Sequence, residues 1–91
     1  MMQSLSIIVT GKVQGVWFRQ STKDKALELG ITGEVSNQPD GAVKIIATGT
    51  KEQLSLFTDW CKQGPPKANV TNLDVEELTL QTFKSFTIER Y

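Results

Sequence analysis

The chain begins with alternating hydrophobic and polar residues, a pattern that predicts a β-strand over residues 5–10. Because successive side chains of a strand point to opposite faces, the hydrophobic ones would all face a core. Hydrophobic spacing of three and four residues follows and predicts a helix over residues 21–29. Ser21 is a favourable N-cap for this helix. Gly30 is suited to end it, because glycine readily adopts the left-handed conformation found there.

The middle of the chain predicts a β-hairpin and a second helix. Two alternating segments, at residues 31–37 and 42–48, are separated by Gln-Pro-Asp-Gly, a sequence that is typical of a turn. A helix is predicted over residues 51–63, because Thr50 and Gln53 have the spacing of a capping box and Gly-Pro-Pro follows the segment. The hydrophobic residues expected on its inner face are Leu54, Phe57 and Cys61.

Two further strands are predicted, at residues 70–78 and 86–91. The element order is therefore β-α-β-β-α-β with an additional C-terminal strand. Because β-α-β crossovers are right-handed, this order places both helices on the same face of the sheet. We predict an α+β fold, a two-layer sandwich of an antiparallel sheet and two helices, with one domain over residues 1–91.

The composition excludes several classes of function. Lys plus Arg and Asp plus Glu each total 10, so the formal charge is zero, whereas a general nucleic-acid binder normally carries a basic excess. The chain contains no His, which removes the Ser-His-Asp and Cys-His arrangements and most zinc and iron sites. We therefore expect no metal and no cofactor.

The composition also indicates the cellular compartment in which the protein is expected. No apolar run approaches the ~20 residues that cross a bilayer, and the first residues do not resemble a signal peptide. The single cysteine, Cys61, cannot form an internal disulfide, which favours a reducing compartment. With no His to activate it, Cys61 is expected to be a buried structural thiol. We expect a cytoplasmic protein without membrane contact.

The loop before the first helix has the features of an anion site. Gly11 and Gly15 would allow a ligand to approach the backbone closely, and the helix that follows presents free N–H groups at its start. Arg19 adds a guanidinium group at the same place. Such a loop can hold a phosphate-sized anion. A glycine-rich connection with a surface arginine has the same spacing, so both interpretations remain open here.

Asn37 ends the second predicted strand, just before the turn. Its carboxamide cannot take a proton from water, but it can accept a hydrogen bond from a water molecule and so orient it. Asparagine is also common at the start of a turn, so its position alone leaves both interpretations open.

Two segments of the chain resemble the signatures of the acylphosphatase family. The first is Gly-x-Val-Gln-Gly-Val-x-Phe-Arg, from Gly11 to Arg19. The second is Gly-x-Val-x-Asn, from Gly33 to Asn37, followed by Asp-Gly-x-Val at residues 40–43. Further positions that match the family pattern are Thr22, Ala26, Gly49, Gly64, Pro65, Ala68, Val70 and Tyr91. The resemblance covers nearly the whole chain.

This resemblance implies a ferredoxin-like sandwich that hydrolyses acyl phosphates to a carboxylate and inorganic phosphate. By the same resemblance, Arg19 would bind the phosphoryl group and Asn37 would orient the attacking water. The main-chain amides that would cradle the phosphate belong to Gly15, Val16, Trp17, Phe18 and Arg19. The partners implied are a small-molecule acyl phosphate and inorganic phosphate, and we expect a monomer that binds no nucleic acid.

Two positions depart from the family pattern. The family usually has an aromatic residue at position 34 and often a basic residue at position 36, where this chain has Glu34 and Ser36. Strand alternation places both on the face opposite Asn37. Two alternatives remain: a non-catalytic phosphate-binding module on the same fold, and an RNA-binding domain with aromatic residues exposed on its sheet. The neutral charge opposes the RNA-binding alternative.

Overall fold

Two helices and five strands follow one another in the predicted order in the computed structural model, which describes residues 1–90. The elements are β1 (Met2–Lys12), α1 (Phe18–Leu29), β2 (Thr32–Asn37), β3 (Val43–Thr50), α2 (Lys51–Gln63), β4 (Asn69–Leu78) and β5 (Phe86–Glu89). The last strand was predicted to reach Tyr91, which lies outside the described residues. Both helices pack on the sheet and contact each other, so the predicted α+β two-layer sandwich is confirmed.

The five strands form one sheet in the order β4-β1-β3-β2-β5. β1 pairs antiparallel with β3 and β4, and β2 pairs antiparallel with β3. β5 runs parallel to β2, so the sheet is mixed and the antiparallel prediction is wrong for this last strand. β4 ends beside the start of β1, and the segment that follows it runs along this end of the sheet to the start of β2. β5 begins there, and it therefore runs in the same direction as β2.

Hydrogen bonds at Gln81 hold this crossing segment against β1 and β3. Its main-chain N–H donates to Ser4 Oγ at 2.8 Å, and its carbonyl accepts from Thr48 Oγ1 at 2.9 Å. Ser4 and Thr48 also bond to each other at 2.6 Å. These contacts satisfy two buried hydroxyl groups and fix the path by which the chain reaches β5.

The hydrophobic core lies between the sheet and the two helices. The inward side chains of β1 and β3 meet those of α1 and α2, and the expected inner face of α2 is buried as predicted. The core side chains that are almost fully buried include Ile7, Val9, Phe18, Ala26, Val35, Val43, Ile45, Leu54, Phe57, Cys61 and Phe86. Neither helix within residues 1–90 is both long and apolar enough to span a membrane.

The two helices differ in how well the sequence predicted their ends. α2 has the predicted bounds, and its capping box is present, with Thr50 Oγ1 and Gln53 Oε1 each accepting from the other's main-chain N–H. α1 starts at Phe18 rather than at Ser21, and Trp17 is its N-cap without a side-chain cap. The start of α1 is set by the preceding loop and by the burial of Phe18, which capping patterns do not show.

Candidate active site

One cavity of about 380 Å³ opens where the β1–α1 loop, the end of β2 and the chain after β5 meet. Its lining residues are Val13, Gly15, Trp17, Phe18, Arg19, Gln20, Asn37, Ile88 and Arg90. Arg19 and Asn37, which the sequence singled out separately, therefore face the same space. Of the predicted loop residues, Val16 does not line it, because its side chain is buried in the core.

The backbone of the β1–α1 loop turns sharply at two residues. Gly15 has a φ of 73° and Trp17 a φ of 64°, both in the left-handed region. Nothing would lie within 4 Å of a Cβ at Gly15, so glycine is favoured there by its conformation rather than by lack of space. Within residues 1–90, no protein acceptor pairs with the main-chain N–H groups of residues 15–19. Such a run of free N–H groups at a helix start has the chemistry to bind an anion.

Arg19 is the second residue of α1 and is half-buried at the edge of the cavity. The two salt bridges among residues 1–90 are Lys25–Glu28 and Lys62–Asp59, so no described carboxylate pairs with this guanidinium. An unpaired arginine beside free main-chain amides makes the electrostatic potential positive in this part of the cavity. The arrangement fits a phosphoryl group, which accepts hydrogen bonds from a guanidinium in a bidentate geometry.

Asn37 ends β2 with a carboxamide oxygen that is buried and unpartnered. Among the described residues, its Oδ1 has no hydrogen-bond donor within reach. A buried acceptor left unpaired costs about 1–3 kcal/mol, so it requires an explanation. A ligand or water hydrogen that reaches this oxygen would recover that cost. Asn37 therefore has the unused hydrogen-bonding capacity expected of a functional residue.

Gln14 connects the loop to the turn that follows Asn37. Its Nε2 donates to the carbonyl oxygens of Gln38 and Ala42, each at 2.9 Å. The turn is itself closed by the Gln38 N–H, which donates to the Ala42 carbonyl at 2.8 Å. Sequence reasoning gave Gln14 no role beyond membership of the first motif. Its contacts hold the β1–α1 loop and the end of β2 at a fixed separation.

Arg90 is a second cation beside the cavity, and it was not among the site residues predicted from the sequence. It directly follows β5, in which Glu89 is aligned with Ser36 of β2. The parallel pairing of these two strands therefore brings Arg90 next to Asn37. Nothing in the local sequence marks this residue, because its position depends on the parallel direction of β5, which the hydrophobic pattern did not predict.

The residues that depart from the family pattern lie outside this cavity. Glu34 and Ser36 line a neighbouring groove on the sheet face away from the helices. Ser36 is buried and accepts a hydrogen bond from Gln38 Nε2 at 3.2 Å. Neither side chain touches the space between Arg19 and Asn37, although Asn37 borders both cavities.

Cys61 lies on the buried face of α2 and does not line the cavity. Burial raises the pKa of its thiol to about 12, which keeps it in the unreactive protonated form. Within residues 1–90, no group of three or more His, Cys, Asp or Glu side chains is placed to hold a metal ion.

Comparison with known proteins agrees with the motifs and the geometry. The family model described as acylphosphatase matches residues 5–88. The acylphosphatase of Methylococcus capsulatus is 46% identical over 90 residues, covering 98% of each chain. The structure of an acylphosphatase from Coxiella burnetii superposes with a TM-score of 0.94 at 38% identity, covering 97% of this chain and 93% of that one.

A crystal structure of acylphosphatase from Bacillus subtilis superposes with a TM-score of 0.93 at 37% identity. The match covers 98% of this chain and 99% of that one. A family model that spans nearly all of the chain, together with relatives of this identity and coverage, establishes the relationship. The chain belongs to the acylphosphatase family and is an enzyme of that type.

Proposed function

We propose that this enzyme hydrolyses acyl phosphates by direct attack of a water molecule on a phosphoryl group held by Arg19 and the loop amides. The observation that carries the proposal is the meeting of three features in one cavity. These are an unpaired guanidinium, a run of free main-chain N–H groups and an unpartnered carboxamide. No covalent intermediate is required, since fixed donors and a positioned nucleophile suffice for phosphoryl transfer.

The positive groups of the site match the charge on the substrate. The phosphoryl oxygens accept hydrogen bonds from the amides of residues 15–19, and the dipole of α1 adds positive potential at the same point. The Arg19 guanidinium binds two of these oxygens. Because these donors are held by the loop and the helix, they need no reorganisation as charge develops in the transition state.

Asn37 orients the attacking water. Its carboxamide is neutral, so it contributes little to holding the anion, but its Oδ1 accepts a hydrogen bond from water and directs the lone pair of the water at phosphorus. The support for this role is the unpartnered state of Oδ1 in a cavity shared with Arg19. Gln14 keeps the carboxamide at a constant distance from the phosphoryl site.

The reaction needs no general acid. The P–O bond to the acyl group breaks as the water oxygen bonds to phosphorus, and the bonding electrons leave with the carboxylate. Carboxylic acids have pKa values of about 4, so this leaving group departs unprotonated near neutral pH. The proton lost by water passes to a phosphoryl oxygen of the product. This chemistry agrees with a chain that contains no His.

The deciding experiment measures phosphate release from benzoyl phosphate in the presence of EDTA, with and without added inorganic phosphate. We expect saturable turnover and competitive inhibition by inorganic phosphate in the wild type, and loss of turnover in Arg19→Ala. The matched control is Lys51→Ala, which removes one positive charge where α2 begins, at the other end of the sheet. It should behave as the wild type.

Titration calorimetry with inorganic phosphate, carried out beside this assay, tests the alternative of a non-catalytic phosphate-binding module. Saturable phosphate binding without turnover above the spontaneous rate would favour that module. Loss of turnover in EDTA with recovery on adding a divalent cation would contradict the metal-independent mechanism.

A further inference from the structure

Trp17 is a large aromatic side chain that faces solvent at the edge of the cavity. Its relative exposure is 77%, and it is the one exposed aromatic side chain among residues 1–90. The ring contacts among residues 1–90 link Phe18, Phe57, Trp60 and Phe86, and none involves Trp17. The indole therefore contributes little to the core, although it lines the cavity that holds Arg19 and Asn37.

The backbone at Trp17 is also unusual. Trp17 is the one residue other than glycine with a positive φ among residues 1–90, at φ 64° and ψ 21°. This conformation is unfavourable for a side chain with a Cβ, and glycine would adopt it without strain. Strained residues that persist without a packing role are typically found at ligand sites. Folding alone thus gives no reason for a tryptophan at this position.

The residues assigned to the phosphoryl group and the water leave the acyl group of the substrate without a contact. Arg19 and the loop amides account for the phosphoryl oxygens, and Asn37 for the water. An in-line displacement requires the acyl group to leave on the side opposite the water. The remaining lining includes the apolar side chains of Val13 and Ile88 together with the indole of Trp17.

We propose that Trp17 is the contact surface for the acyl group and makes the enzyme prefer acyl phosphates with aromatic or extended apolar groups over acetyl phosphate. The inference rests on the proposed function, because it takes the phosphoryl group to be bound at Arg19. An indole offers a large rigid face with few rotatable bonds, so a planar acyl group can stack on it at a small entropic cost. Such a contact corresponds to an affinity difference of about tenfold.

The test compares two phosphonates that cannot be hydrolysed, 2-oxo-2-phenylethylphosphonate and acetonylphosphonate. In each, a methylene group replaces the bridging oxygen of benzoyl phosphate or acetyl phosphate. Titration calorimetry gives the ratio of their dissociation constants for the wild type, Trp17→Asn and Trp17→Phe. Asparagine tolerates the left-handed conformation, so it removes the ring while keeping the loop backbone. The ratio cancels any change in phosphonate affinity that is common to both ligands.

We expect the wild type to bind the phenyl compound about tenfold more tightly than the methyl compound. The ratio should fall close to one in Trp17→Asn and stay near the wild-type value in Trp17→Phe. Trp60→Phe is the control, because Trp60 packs on Phe18 and Phe57 and does not itself line the cavity, and its ratio should not change. A wild-type ratio in Trp17→Asn would overturn the proposal.

Acetyl phosphate hydrolysis is measured on the same samples to separate this inference from the proposed function. Binding of both phosphonates without any turnover of acetyl phosphate would contradict the proposed hydrolysis, and the ratio would still decide the role of Trp17. Turnover with a ratio that does not depend on Trp17 would leave hydrolysis supported and remove Trp17 as the acyl contact.

Discussion

At the scale of single residues, the shape of the cation at position 19 should matter as much as its charge. The guanidinium of Arg19 presents a planar pair of donors, whereas the ammonium of a lysine is a point charge on a flexible stem. We expect Arg19→Lys to lower kcat/KM for benzoyl phosphate by about 100-fold, which corresponds to the loss of one strong charged hydrogen bond. Steady-state kinetics of the wild type and Arg19→Lys at equal ionic strength measures this change in kcat/KM. Near-normal kcat/KM in Arg19→Lys would contradict the bidentate role.

The sequence motifs predicted the cavity residues that lie close together along the chain. They did not predict the residues that reach the cavity only through the pairing of distant segments. Arg19 and the free amides around Gly15 lie within one short loop, so a continuous motif contains them all. Arg90 reaches the cavity only through the parallel pairing of β5 with β2, which no local pattern reveals. The contacts of Gln14 with the β2–β3 turn are likewise visible only once the loop and the hairpin are placed together.

At the scale of elements, Gln14 couples the β1–α1 loop to the β2–β3 turn. Gln14→Leu keeps the approximate size of the side chain and removes both hydrogen bonds. We expect the free energy of unfolding to fall by about 1–2 kcal/mol, the value of two ordinary hydrogen bonds. We also expect kcat to fall more than phosphate affinity, because the separation of the water site from the phosphoryl site is no longer fixed. Chemical denaturation, calorimetry and steady-state kinetics measure the three effects.

The control for Gln14 is Gln63→Leu, the same substitution at the exposed C-terminal end of α2. It should change none of the three quantities. Equal losses of kcat and phosphate affinity in Gln14→Leu would show that the loop alone is disturbed, and would contradict a coupling between the loop and the hairpin.

Element boundaries followed from sequence wherever a single cap residue defines the helix end, through its side chain or its backbone conformation. The capping box of Thr50 and Gln53 predicted the start of α2, and Gly30 predicted the end of α1. The start of α1 was predicted three residues too late, because Ser21 resembles an N-cap while the loop begins the helix at Phe18. A helix that starts from a ligand-binding loop need not have a side-chain cap, since the same N–H groups are then available to the ligand.

At the scale of the whole molecule, the hydrophobic pattern was sufficient for the layers of the fold but not for every strand direction. Each β-α-β unit has one favoured handedness, which places the helices on one face. No such rule applies to β5, whose direction is set by the crossing segment that Gln81 anchors to Ser4 and Thr48. The cytoplasmic location, the monomeric state and the single-domain extent of the chain stay predictions.

The whole fold brings the β1–α1 loop and the end of β2 to one cavity, and the central proposal is that they perform separate tasks. Asn37→Ala tests this most directly, with Asn72→Ala on the exposed face of β4 as the matched control. Removing an unpartnered buried oxygen should cost little stability, which thermal unfolding of the variant can verify.

The measurement is phosphate binding by titration calorimetry beside kcat on benzoyl phosphate, for the wild type and both variants. We expect Asn37→Ala to bind phosphate within about twofold of the wild type while kcat falls by about 100-fold or more, the effect of losing one preorganised contact to a transition state. Asn72→Ala should match the wild type in both. A loss of phosphate affinity in proportion to the loss of rate, or normal values of both in Asn37→Ala, would contradict the account.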